Sequence, residues 1–299
     1  MYACFDIGGT EIKSAAINGD LILNNYAIHK SKNDINYLLN LIEDVVNEYK
    51  NKFDIKGVCI SAPGSVDTSS GIIYGFSALT CIHGFSWKDK LEERLGLPIS
   101  IENDANCAAL CELMFGNGRE HNDFLSLVIG TGVGASIIKD RKIHYGASLF
   151  GGEFGFMITN QENNLYQTFS DNASVGSLVK RVRLALNNDS IEGKEIFEMS
   201  KNGDKVCKEA IDNFYRNLAI GIYNMRFMYD PEIILIGGAV SQQEDFIERI
   251  YENLEEILRE VTYNTFHVIM DISRFLPNLK KCLFLKDANL YGALANKDF

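Results

Sequence analysis

Proline and tryptophan are scarce, with four prolines and one tryptophan in 299 residues. Collagen-like and proline-rich low-complexity chains are thereby excluded. Positive charge is in deficit: 29 Lys and Arg stand against 40 Asp and Glu, for a formal net charge of −11. Such a chain lacks the basic footprint that binds nucleic-acid backbone or an anionic membrane surface, so neither partner is expected. Long apolar runs are missing too. Stretches such as Ile233–Ile236 fall far short of the roughly 18 residues that span a bilayer. No basic segment followed by an apolar stretch opens the chain, so no secretory signal is expected and a cytoplasmic location is. The seven cysteines are odd in number and form no CxxC. Cys107 and Cys111 have no second Cys or His pair nearby in sequence to complete a zinc site. Buried reduced thiols are the expectation.

What is present is ordinary globular composition, 46% hydrophobic and 23% charged. The length is about twice that of a usual domain, which predicts two domains. Residues 1–30 read as strands: a short buried one over Tyr2–Ile7, a Gly8-Gly9 turn, a second over Ile12–Ile17, and a hairpin turn at Asn18-Gly19-Asp20. Apolar spacing predicts a helix over Tyr37–Tyr49. A buried strand over Gly57–Ser61 ends at Ala62-Pro63-Gly64. A helix over Trp87–Leu95 is stopped by Gly96 and Pro98. The strand Ile99–Glu102 leads into Asn103-Asp104 and a helix over Ala105–Phe115. A second series follows: a strand over Phe124–Ile129, the turn Gly130-Thr-Gly-Val-Gly134, and a strand over Ala135–Ile138. Residues 175–228 read as mostly helical. The strand Ile233–Ile236 ends in Gly237-Gly238, a helix covers Phe246–Val261, a last strand Lys281–Leu285, and a last helix Asn289–Ala295. The polar loop 116–123 is the expected boundary between two halves that each open strand, glycine turn, strand.

The glycine turns suit phosphate. Paired glycines let backbone approach an anion closely, and the hydroxyl of Thr10 or Thr131 can bond an oxygen. Neither turn matches the Walker A pattern, and the first is followed by a strand where a dinucleotide fingerprint requires a helix. Taken alone, Asp104 reads as an N-cap for the helix that starts at Ala105.

Together these segments resemble the actin, Hsp70 and hexokinase superfamily. Asp6-Ile-Gly-Gly-Thr10, Ala62-Pro63-Gly64, Glu102-Asn-Asp-Ala-Asn106, Gly130-Thr-Gly-Val-Gly134, Gly151-Gly-Glu-Phe-Gly155 and Ile236-Gly-Gly-Ala239 are similar, in that order and over essentially the whole chain, to the ROK family (repressor, open reading frame, kinase). The resemblance implies an α/β fold of two ribonuclease-H-like domains with an active-site cleft between them. Residues 1–118 with about 288–299 would form the small domain, and 119–287 the large one. It implies an ATP-dependent sugar kinase with Mg²⁺ that phosphorylates a hexose 6-hydroxyl, and a homodimer. Asp104 would be the general base. Gly64, Asn103 and Glu153 would bind sugar, with His83 a specificity candidate. Asp6 would hold Mg²⁺ through water. Gly8, Gly9, Thr10, Lys13, Thr131 and Gly132 would serve the phosphates, and Gly237, Gly238 and Ala239 the adenosine.

The chain also departs from the family pattern. Many relatives have a zinc-binding histidine where Phe156 stands, and 157–174 contains neither Cys nor His, so no zinc is expected. Ser170 stands where relatives carry a sugar-binding glutamate. Both changes make the C1/C2 side of the pocket less polar. This suits N-acetylmannosamine or another C2- or C1-substituted hexose, with a β-glucoside or glucose as alternatives. A repressor is disfavoured, since the phosphate turn begins at Asp6 with too little chain before it for a helix-turn-helix. A sugar-binding protein without catalysis is disfavoured by the intact Asp104, Asp6 and Gly-Thr turns.

Overall fold

A computed structural model describes residues 1–267 and 271–297. Residues 298 and 299, which the sequence reading joins to the small domain, lie outside the described residues. Contacts divide the chain into two units: Met1–Glu120 with Lys142–Gly151 and the stretch from Leu283, and His121–Arg141 with Gly152–Cys282. The segment 142–151 therefore groups with the first unit, although its place in the sequence suggests the second. Within it, Tyr145 Oη donates to Glu102 Oε2 at 2.6 Å, a long-range hydrogen bond with no local sequence signal.

The first unit is built on a sheet of β1 (Tyr2–Ile7), β2 (Glu11–Ile17), β3 (Leu23–Lys30), β4 (Val58–Ala62) and β5 (Ile99–Asn103), in the order β3-β2-β1-β4-β5. The first three run antiparallel, and β4 and β5 lie parallel to β1. Helices α1 (Ile35–Lys50) and α2 (Trp87–Leu95) cover one face. There Leu38, Ile42, Val46, Trp87 and Leu91 join Phe5, Ile60 and Ile101 in one core. Helix α1 begins where the Asp34 side chain accepts from the amides of Asn36 and Tyr37, and α2 ends at Gly96 in the left-handed region. Helix α3 (Asp104–Phe115) and the C-terminal helix (Ala288–Ala295) lie on the other face. Leu290, Ala293 and Leu294 pack there on Cys4, Cys59 and Cys107.

In the second unit, β6 (Phe124–Ile129), β7 (Val133–Lys139), β8 (Ile233–Gly237) and β9 (Leu279–Lys281) run in the order β7-β6-β8-β9. Strand β7 is antiparallel to β6, and β8 and β9 are parallel to it. Helices α4 (Phe169–Ala173), α5 (Val175–Leu186), α6 (Gly193–Lys201), α7 (Lys205–Tyr229) and α8 (Phe246–Phe266) supply the remaining layers. Phe214, Leu218 and Ile222 of α7 share a core with Leu127 and Ile236. Each sheet thus opens with a hairpin around a glycine turn and adds parallel strands beside it. These are the mixed α/β sheets that the paired motifs predict.

Two local expectations are corrected. The last strand is Leu279–Lys281, not 281–285. Its ladder with β8 closes where the Cys282 amide donates to Ile236 O, and Phe284 N then turns to the Glu112 carboxylate. A hairpin of Ile158–Glu162 and Leu165–Thr168 occupies a stretch read without strands. Its two-residue turn, Asn163-Asn164, takes positive φ at both positions, which asparagine tolerates. Among the described residues no helix is long and apolar enough to cross a membrane. No cysteine is in a disulfide, and all but Cys81 are buried.

Candidate functional site

The first unit gathers two groups of the predicted residues. One lies where β1 turns into β2. Gly8, Gly9 and Thr10 form the turn, with Gly9 and Thr10 exposed. Asp6 and Lys13 face each other across the antiparallel pair. Asp6 Oδ1 accepts from Ser61 Oγ and Asn289 Nδ2 at 3.0 and 3.1 Å. Burial pushes the Asp6 carboxyl up from its ordinary pKa, opposed by the Asn289 amide, Lys13 and Ser61.

The other group sits where β5 runs into α3. The N-cap is Asn103, not Asp104: Asn103 Oδ1 accepts from Asn106 N at 3.0 Å. Asp104 is one position further on, the first residue of the helix. Its Oδ1 accepts from Ala105 N at 2.8 Å and from Asn103 Nδ2 at 3.1 Å. The carboxylate therefore lies at the positive end of α3 and is relieved of the capping bond. Asn103 Nδ2 also donates to Gly64 O at 3.0 Å. Gly64 has φ +103, and a Cβ there would meet Ile73 Cγ2 at 2.7 Å and His83 Cε1 at 3.2 Å, so only glycine fits. His83 is thus beside Gly64, with Nε2 2.9 Å from Ser77 Oγ and its buried Nδ1 without a partner among the described residues.

Glu102 has no role in the sequence reading. It is fully buried, and Oε1 accepts from Asn103 N at 2.7 Å and Asn106 Nδ2 at 3.0 Å. With the Tyr145 hydroxyl on Oε2, it braces the turn that carries Asn103 and Asp104. Asn106 braces the same turn through that bond to Glu102.

The second unit carries the rest. Thr131 and Gly132 lie exposed in the turn between β6 and β7, which is closed by Gly130 N donating to Gly132 O. The amides of Val175 and Gly176, at the start of α5, donate to Gly130 O and hold the turn in place. Beside it opens a cavity of about 600 Å³. Predicted Thr131, Gly238 and Ala239 line it, and so do Val175, Lys194, Phe197 and Gln242, which the sequence did not single out. Gly238 has φ +96, and a Cβ there would overlap the Ile129 carbonyl. Gly237 does not line the cavity; it is buried at the end of β8, against Cys282.

Glu153 precedes a single turn, Phe154–Phe156. It is partly buried, with no hydrogen-bond donor among the described residues, and burial alone raises its pKa. Three residues on, Phe156 is 67% exposed. Ser170 Oγ accepts from Val133 N at 3.0 Å, so its hydroxyl supports the phosphate-type turn from behind. Among the described residues no group of three or more His, Cys, Asp and Glu is placed to hold a metal ion.

Comparison with known proteins identifies the family and the fold. A model of the ROK family matches residues 2–275. The chain is 34% identical over 271 residues to a β-glucoside kinase of Listeria monocytogenes, covering 88% of this chain and 91% of that one. The structure resembles a ROK family protein of Streptococcus pneumoniae in complex with sucrose, with TM-score 0.85, 34% identity and coverage of 99% and 96%. It also resembles a ROK family glucokinase of Streptomyces griseus in complex with glucose and AMPPNP, with TM-score 0.81, 25% identity and coverage of 98% and 97%. The fold is that of the two-domain ROK sugar kinases, and the chain belongs to the ROK family.

Proposed function

We propose that the protein is an ATP-dependent kinase of the 6-hydroxyl of a hexose, and that its acceptor carries a substituent at C1 or C2. The observation that carries the kinase reading is the start of α3, where Asp104 is freed from capping and tied through Asn103 to the glycine at position 64. A sugar hydroxyl is a weak nucleophile. Asp104 takes its proton as the oxygen attacks the γ-phosphorus of ATP and the bond to ADP breaks. Asn103 already uses its amide nitrogen and one lone pair of Oδ1, so a sugar hydroxyl bonds the second lone pair. Glu153, which lacks a protein donor, accepts from further hydroxyls. Gly64 admits the ring, with His83 beside it.

The donor belongs to the glycine turns. Gly8, Gly9, Thr10, Lys13, Thr131 and Gly132 serve the phosphates. Gly238 and Ala239 wall a cavity large enough for adenosine, with Gly237 behind them. A single carboxylate among oxygen and amide groups, as at Asp6, suits a hard cation that keeps several waters. Asp6 is the residue that would hold Mg²⁺, which when bound neutralises phosphate charge. Zinc has no part in this reading: protein purified without added metal should contain far less than one zinc per chain by elemental analysis, and stoichiometric zinc refutes it. A homodimer and a cytoplasmic location complete the reading; sedimentation equilibrium reports the former.

For the acceptor, a β-glucoside is better supported than N-acetylmannosamine. Phe156 and Ser170 leave the C1/C2 side with fewer polar partners, and the Listeria relative is a β-glucoside kinase; the Streptococcus protein holds sucrose, an α-glucoside, which supports substitution at C1 without favouring the β linkage. Each lost polar partner is worth about 1–3 kcal/mol of discrimination. Steady-state kinetics on cellobiose, N-acetylmannosamine, N-acetylglucosamine and glucose decide the matter. A kcat/KM for a substituted sugar at least equal to that for glucose is expected, and a strong preference for glucose over all three overturns the substrate reading.

A further inference from the structure

The far end of the sequence holds a carboxylate near its beginning. Asp6 Oδ1 receives two hydrogen bonds, one from Ser61 on β4 and one from Asn289 in the first turn of the C-terminal helix. Two donors on one oxygen set the plane of the carboxylate. Both donors are neutral, so they orient the group without cancelling its charge. The other oxygen, Oδ2, has Lys13 Nζ at 3.9 Å, beyond hydrogen-bond distance. The Lys13 ammonium donates instead to the main-chain carbonyl of Lys286 at 2.9 Å. The segment Lys286–Asn289 therefore acts twice: its side-chain amide fixes one oxygen of Asp6, and its backbone keeps the nearest cationic side chain from closing off the other. The segment is itself anchored, since Tyr26 Oη donates to Asp287 Oδ1 at 3.2 Å. A helix whose only task was to cover the sheet needs its apolar face, Leu290, Ala293 and Leu294. It does not need an amide on a partly buried carboxylate.

We infer that Asn289 is a positioning residue for cation-assisted phosphate binding: by fixing Oδ1 of Asp6 it leaves Oδ2 oriented for the cation that accompanies the nucleotide. The identity of that cation and nucleotide rests on the kinase reading above. Asn289 touches neither substrate; it acts through Asp6.

The test uses the full chain with Asn289→Ala, Asn289→Leu and Ser61→Ala. Mg²⁺ is titrated at saturating ATP and sugar. ADP binding is measured by calorimetry with and without Mg²⁺, and melting temperatures are recorded. Loss of a hydrogen bond to a charged group changes affinity by about 10- to 100-fold. Both Asn289 variants should need that much more Mg²⁺ for half-maximal rate and lose the same factor in Mg²⁺-dependent ADP affinity. The KM for sugar and the melting temperature should stay near those of the wild type. Unchanged Mg²⁺ dependence overturns the inference, and so does a lower melting temperature with unchanged Mg²⁺ dependence, because that is a purely structural role. If neither Asn289 variant folds, Ser61→Ala decides: it removes the other donor to the same oxygen, and wild-type Mg²⁺ dependence in that variant overturns the inference. A wild-type protein that binds Mg·ADP yet phosphorylates no sugar removes the kinase reading alone, and calorimetry on the variants then decides this one by the same criteria.

Discussion

Two carboxylates in the candidate site differ in their surroundings, and the difference predicts different behaviour on neutralisation. Asp104 accepts from the Ala105 amide and from Asn103 at the start of a helix. Asp104→Asn keeps an acceptor and leaves the Asn103 cap in place, so the variant should melt near the wild type and retain sugar binding. Its kcat should fall by about 10²- to 10⁴-fold, the usual contribution of a general base. A kcat near that of the wild type would show that Asp104 does not take the proton. Glu153 is the opposite case, since burial raises its pKa and no protein group compensates. A carboxyl that binds its proton more tightly when folded favours the folded state at low pH. That advantage is lost as pH rises from the unfolded value through the raised folded one. At neutral pH the charge therefore costs stability, which the hydroxyls of a bound sugar can relieve. Glu153→Gln should raise the melting temperature at pH 7 and have little effect well below the ordinary glutamate pKa. It should weaken sugar binding by about 10- to 100-fold. A variant less stable than the wild type at pH 7 would contradict this account, and melting curves between pH 4 and 8 read it directly.

At the scale of elements, the role proposed for Asp104 depends on how α3 and the C-terminal helix meet. Gly292 lies so close to α3 that a Cβ would overlap the carbonyl oxygen of Cys107, three residues after Asp104. Gly292→Ala should therefore part the two helices and destabilise the protein by about 1–3 kcal/mol, the usual range for overpacking. It should also lower kcat, because the displaced turn carries Asp104. Thermal melts and kinetics check both effects, and an unchanged melting temperature would show that the helices absorb the methyl group. Nothing local in the sequence signals this contact, since Gly292 in a helix reads only as a weak helix former. The same limit separates what was legible from what was not. Glycine turns, short buried strands and helix stops depend on neighbours in sequence, so β1, β4, β6, β8 and α2 could be placed from the chain alone. Glu102 beneath Asn103, Asn289 on Asp6, Tyr145 on Glu102 and Phe197 in the cavity wall depend on partners far away in sequence. The cap at Asn103 rather than Asp104 is a shift of one position that two adjacent capping residues leave open. The Asn163-Asn164 hairpin does carry a local signal, an asparagine pair at two positions of positive φ.

At the scale of the whole molecule, each unit has its own core and its own share of the proposed site, so the two substrates should leave separate marks. In the proposed reading the nucleotide takes the cavity of the second unit and the turns at 8–10 and 130–134. Gly64, Asn103 and Asp104 of the first unit, and Glu153, are the residues proposed for the sugar. Amide exchange resolves such marks, because binding suppresses local opening wherever backbone is ordered. ADP with Mg²⁺ should slow exchange over residues 8–13, 129–134, 175–176 and 238–243. Sugar alone should slow it over 61–64 and 102–106, and around Glu153. Either ligand at 100 times its Kd should add about 2.7 kcal/mol to stability, enough to move the melting temperature by several degrees. Protection of 102–106 by nucleotide alone, with none from sugar, would reverse the assignment of the two sites and remove Asp104 as the base. If sugar instead protects only the second unit, the acceptor site lies with Glu153 and the role given to Asn103 and Gly64 is wrong. The mapping needs no catalysis, so it tests where the substrates bind independently of whether they react.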